Sequence, residues 1–145
     1  MKHPLLIVCG LIIVLIIVLV IPRLNFSNPN TTFKKEVMDK VRGKEISAVK
    51  LIKISDEKTI ALRNKGDISQ FLELLTPLQL EKIDHIKDAP VETYSILLLV
   101  EGKVKYVFFL YDHNQIQILN TEKSSIKYYK IKSSFELDKF NKYWN

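Results

Sequence analysis

Apart from Cys9 the chain contains no cysteine, so nothing downstream can close a disulfide or supply a thiolate nucleophile. Glycine is almost as scarce, and its four copies build no phosphate-cradling loop. The three histidines, His3, His85 and His113, are too few for a metal centre unless carboxylates such as Asp84, Asp88, Asp112 or Glu92 join them, and their spacing shows no such pattern. Asp84-His85 and Asp112-His113 each set an acid beside an imidazole, but neighbours on a strand point to opposite faces, so both read as surface loop residues. Ser124-Ser125 and Ser133-Ser134 lack the glycine elbow that exposes a nucleophilic serine. No catalytic residue, metal ligand or cofactor is assigned from the sequence. The expectation is a protein that is not an enzyme.

Charge is missing in a more telling way. Leu5 to Ile21 runs seventeen residues without a charged side chain. A bilayer core of about 30 Å calls for roughly 17 to 25 apolar residues in a helix, because backbone groups there must pair within the helix. The run is expected to be a transmembrane anchor in contact with membrane lipid. A cleaved signal would end in small residues, whereas Pro22, Arg23 and Leu24 follow directly. Lipidation at Cys9 is disfavoured because Val8 precedes it and most of the apolar run comes after it. Basic residues flank the run on both sides, so the orientation rests on its position at the start of the chain, where it resembles an uncleaved export signal. That places the chain in the cell membrane, single-pass, with its C-terminal part outside the cytoplasm.

What remains is ordinary in composition. Past Arg23, 20 basic residues face 16 acidic ones and are spread along the chain, a mild excess that lacks the dense basic stripe of a nucleic-acid binder. The expected organisation is an anchor over 1–24, a spacer rich in Asn, Ser, Pro and Thr over 25–32, and an extracytoplasmic domain over 33–145.

Within that domain Phe33, Val37 and Val41 recur at helical spacing, with Thr32 as cap and Gly43 beyond the end. Ile46 to Ile54 and Thr59 to Arg63 read as a hairpin. Asp67 and Gln70 suggest a capping box for a helix bearing Ile68, Phe71, Leu72 and Leu75, which Pro77 ends. Leu78 to Pro90 reads as a covering loop or a poor helical turn. Thr93–Val100, Lys103–Tyr111, Gln115–Asn120 and Ile126–Ile131 then form a four-strand meander, with Glu101-Gly102 as one tight turn. Ser133 and Glu136 propose a last helix carrying Leu137, Phe140 and Trp144. The expected fold class is α+β: a hairpin and a four-strand meander in an antiparallel sheet, with two or three helices packed on one face.

An apolar leader, a short spacer and a Lys-, Ile- and Tyr-rich domain in this order of elements resemble the small membrane-anchored envelope proteins of Gram-positive bacteria. The resemblance spans the chain as an arrangement and implies a cell-envelope setting. It carries over no binding or catalytic residue.

One surface cluster stands out. Lys123, Lys127, Tyr128, Tyr129, Lys130 and Lys132 mix basic and aromatic groups on one expected edge strand and its turn, a combination that receives polyanions. The possible contacts are Lys123, Lys127, Tyr129, Lys130 and Lys132. Lysines also protect an edge strand from sheet-to-sheet aggregation, which is the structural explanation for the same residues. The function expected is a non-catalytic interaction domain whose partner is an envelope protein. The alternatives are a ligand-binding sensor or hydrolase with a loop-built site around His85 or His113, and a polyanion-binding domain.

Overall fold

Alternation of apolar and polar residues along most of the domain produces strands, and the computed structural model, which describes residues 29–86 and 91–144, joins eight of them in one antiparallel sheet. In chain order these are β1 (Asn30–Thr32), β2 (Ile46–Lys53), β3 (Lys58–Leu62), β4 (Gln79–Ile83), β5 (Glu92–Val100), β6 (Lys103–Tyr111), β7 (Gln115–Asn120) and β8 (Ser125–Ile131). Their spatial order is β1-β4-β8-β7-β6-β5-β2-β3. Two α-helices occur among the described residues, α1 (Phe33–Glu36) and α2 (Lys65–Leu75), with 3-10 segments at Met38–Lys40, Ile54–Asp56 and Leu137–Tyr143.

The expected α+β class is therefore corrected. A hairpin, a meander and two or three helices do not describe the molecule; a continuous eight-stranded antiparallel sheet with two short helices does. The difference arises in two segments. Gln79–Ile83, expected in a covering loop, alternates exposed Gln79 with buried Leu80 and pairs with β8, Leu80 opposite Ile131. Asn30–Thr32, inside the expected spacer, adds β1 to the far side of β4. Strand β8, expected at an edge, consequently lies between β4 and β7. The expected transmembrane run at 5–21 lies outside the described residues. Among the described residues no helix is long and apolar enough to cross a membrane.

Local chemistry accounts for the helical pieces. Thr32 Oγ1 accepts from the Lys35 backbone N–H at 3.2 Å, capping α1, but Val37 leaves helical geometry at φ −127° and the chain continues as a 3-10 turn. Phe33, Val37 and Val41 are all buried nonetheless, because the broken turn keeps them on one side. Helix α2 is capped by Asn64, whose Oδ1 accepts from Gly66 N–H at 2.8 Å, one turn earlier than the expected Asp67 box. The last helix is 3-10 over Leu137–Tyr143, and the Ser133 hydroxyl accepts from Gln79 N–H at 3.2 Å instead of capping it.

Period-two alternation gives the sheet two faces. On the inner face, cross-strand rows such as Leu62, Val49, Leu98, Tyr106 and Leu51, Ile96, Phe108, Ile118 form the core. The helical pieces cover this face: Phe33 meets Phe108 with ring centroids 5.1 Å apart, and Phe140 lies 5.4 Å from Tyr94 and 5.3 Å from Phe71.

Candidate functional site

The outer face is built by the other parity of the same strands. Lys50 stands opposite Leu97, Leu97 opposite Val107, Val107 opposite Leu119 and Leu119 opposite Ile126, one row across five strands. A second row runs Ile52, Ser95, Phe109, Gln117, Tyr128 and Ile83. Leu97, Leu99, Val107, Phe109, Leu119 and Tyr128 are half-buried, and Ile126 is 50% exposed. No helical segment among the described residues packs on this side; the ring contacts of the helical layer all fall on inner-face residues. Exposed Lys50 and Lys130 flank the apolar rows, and Glu81 on this side is ion-paired to Lys132 at 3.1 Å. Tyr111 donates its hydroxyl to Gln117 Oε1 at 3.0 Å across β6 and β7, fixing part of the surface in place.

The sequence-derived cluster is divided by the sheet. Lys127 and Tyr129 take the inner parity opposite Ile118 and Ile116, whereas Tyr128 and Lys130 take the outer parity opposite Gln117 and Gln115. Tyr129 is 2% exposed and belongs to the core. Its hydroxyl is pushed well above the ordinary tyrosine range by burial first, and then by the neighbouring Glu36 carboxylate, so it stays protonated. Lys132 is held by Glu81 on the outer side, and Lys123 sits in the β7–β8 turn, its backbone N–H donating to Asn120 Oδ1 at 3.0 Å. Lys130 and Lys132 meet at Glu81 on the outer side, and Lys123 and Lys127 are brought to a separate place.

That place is a cleft of about 200 Å³ between the α1 segment and the β7–β8 hairpin, lined by Glu36, Lys40, Tyr106, Ile118, Asn120, Lys123, Ser125 and Lys127. Inner-face rows that are apolar across β2, β5 and β6 turn polar here, Tyr106 facing Asn120 and Asn120 facing Ser125. Glu36 Oε2 accepts from Lys127 Nζ at 2.9 Å and from Lys40 Nζ at 3.1 Å. Burial alone would raise the Glu36 carboxyl; the hydrogen bonds from Lys127 and Lys40 outweigh it and hold it at about 2. Asn120 Nδ2 donates to the Tyr106 hydroxyl at 3.0 Å in the buried floor. Sequence reasoning missed Glu36, Lys40, Tyr106 and Asn120. One signal was present: Asn120 is polar at the parity of Ile116 and Ile118, a break in the strand's apolar alternation.

The histidines do not converge. His85 follows β4 beyond Ile83, which pairs with Tyr128, while the turn holding His113 bonds β8 at its other end, Ile131 N–H to Asn114 O at 2.7 Å. Asp112 and His113, read from the sequence as surface loop residues, approach within 3.1 Å in a turn where His113 and Asn114 have φ of 58° and 56°, so the opposite-face geometry of a strand does not apply to them. Asp112 Oδ1 also accepts from Val91 N–H at 3.1 Å, so its role is to tie the start of β5 to this turn.

Comparison with protein-family models, with curated proteins and with solved structures finds no match to this chain.

Proposed function

We propose that this chain is a membrane-anchored, non-catalytic interaction module of the cell envelope, and that its outer sheet face docks a second envelope protein. The observation that carries the reading is the apolar row Leu97, Val107, Leu119, Ile126, left uncovered among the described residues. Contiguous apolar surface of this kind, rimmed by charge, marks docking sites. The partner is a protein with an apolar patch edged by Asp or Glu, since Lys50 and Lys130 are exposed beside the rows and Glu81 is already engaged by Lys132.

Two other occupants fit less well. A second copy, meeting this face through a two-fold axis, would set basic rims against each other. A lipid surface takes up an apolar face to a depth of about 5 to 10 Å at the headgroup boundary, whereas Leu97, Val107 and Leu119 are half-buried among their neighbours in the pleat. The anchor at 5–21 supports the setting by confining the domain beside membrane neighbours.

The test is a photoreactive amino acid at Val107, with Leu74 of α2 as the control position on the covered side, in the native membrane. The expected result is one discrete adduct with a different protein from position 107, lost when Lys50→Glu and Lys130→Glu are combined. An adduct of twice the chain's mass, lipid adducts only, or an adduct indifferent to charge reversal rejects the reading.

A further inference from the structure

A donor and acceptor census of the cleft between α1 and the β7–β8 hairpin gives a lopsided result. Lys40, Lys123 and Lys127 bring three ammonium groups to its walls, and Tyr106 and Ser125 bring two hydroxyls. Glu36 is the one carboxylate among the described lining residues, and it already accepts from Lys40, Lys127 and, at 3.4 Å, the Thr31 hydroxyl. The Tyr106 hydroxyl accepts from Asn120, which leaves its own proton to be donated, and at 2% exposure bulk water is nearly excluded from it. Burial raises Tyr106 above its ordinary value, so that proton is present at neutral pH. Two of the lysine groups spend one hydrogen bond each on Glu36 and keep further N–H donors, and exposed Lys123 is tied to the cleft only through its backbone. The site is rich in donors and cationic, and its acceptor is spent.

We propose that this cleft binds a phosphate-class oxyanion, free or carried on a larger molecule. Its donors come from separate directions: Lys40 from the segment following α1, Lys123 from the turn, Lys127 and Ser125 from β8, and Tyr106 from the sheet floor. That distribution suits a tetrahedral anion, whose oxygens diverge, better than a planar carboxylate, which is gripped best by the two-pronged guanidinium of arginine. At about 200 Å³ the cleft holds one such group with a little water and excludes a bulky ligand from its floor. The proposal keeps Lys123 and Lys127 from the sequence-derived cluster and dispenses with Tyr129, Lys130 and Lys132. It is independent of the outer face, which lies across the sheet.

The experiment uses the full chain, labelled with nitrogen-15 and held in zwitterionic detergent, titrated with sodium phosphate at constant ionic strength set by sodium chloride. Backbone amides of residues 120–127 are followed. Saturable shifts confined to these amides and the α1 segment are expected, and Lys123→Gln, whose side chain is exposed and takes no part in the Glu36 bonds, weakens the phosphate affinity by about fivefold or more. Glycerol phosphate and micelles doped with phosphatidylglycerol form two further arms. Shifts at the same amides in doped micelles, displaced by free phosphate, assign the anion to lipid headgroups; shifts with free phosphate and glycerol phosphate alone assign it to a soluble or polymer-borne phosphate. Shifts that grow linearly with concentration, or a Lys123→Gln chain that binds as the parent does, overturn the proposal.

Discussion

Lys127 on β8 donates to Glu36 on α1 across 2.9 Å, joining residues 91 positions apart and fastening the first helical turn to the second-half strands. Glu36 keeps its charge in the fold because Lys127 and Lys40 offset its burial. Removing that charge leaves exposed Lys40 and half-buried Lys127 facing a neutral partner.

Glu36→Gln is expected to lower stability by about 1 to 3 kcal/mol at neutral pH, read by urea denaturation. The sign with pH follows from the folded value of about 2 lying below the ordinary 4.5. The contribution of Glu36 is complete above pH 4.5 and is lost as pH falls from 4.5 toward 2, so parent and variant should converge across that interval. A gap that stays constant from neutral pH down to the acid end contradicts this account of the site.

Neighbouring residues of β5 separate the two faces. Leu98 is fully buried in the core, whereas Leu97 is half-buried on the outer side. Leu98→Ala should cost about 2 to 5 kcal/mol, and Leu97→Ser less than about 1 kcal/mol, by thermal or chemical unfolding of the purified chain. Equal losses would mean that the outer face is covered within the chain itself.

The β5–β6 turn tests backbone conformation alone. Glu101 and Gly102 have φ of 52° and 78°, and a Cβ added at Gly102 meets nothing within 4 Å. Gly102→Ala is expected to cost about 1 kcal/mol through the left-handed backbone, with no change in the near-ultraviolet circular dichroism of the aromatic core.

The membrane orientation is open to a direct reading. An enzymatic reporter active only outside the cytoplasm, fused after Asn145, should be active in cells. An expressed but silent fusion would place the domain on the other side.

Much of the local pattern was legible from residues alone. Phe33, Val37 and Val41 announced a buried stripe from their spacing, Glu101-Gly102 announced a turn, and the runs from Tyr94 to Ile131 announced strands, because each signal is carried by neighbours in sequence. The fold class was not legible, since it depends on partners far along the chain. Nothing local in Gln79–Ile83 distinguishes a five-residue strand from a covering loop until Leu80 finds Ile131. The same limit applies to the cleft. The Glu36 and Lys40 pairing lies within reach of helical spacing, but their meeting with Lys127 is set by the sheet. Lys130 and Tyr129 look like one cluster in sequence and face opposite ways in the sheet, a consequence of the two-residue repeat of any strand, while the pairing of β8 with β4 as well as β7 removes it from the edge.

The central claim is that the outer face is occupied in the cell. With Cys9 replaced by serine, single cysteines at Val107 and Ile126 on that face and at Leu74 on the covered side are to be labelled with a water-soluble maleimide, in native membranes and in the purified chain. The account predicts that positions 107 and 126 are protected in native membranes and react when purified or returned to liposomes of extracted lipid, while position 74 reacts alike throughout. Equal labelling of 107 and 126 in all preparations, or protection that persists in lipid alone, would contradict it.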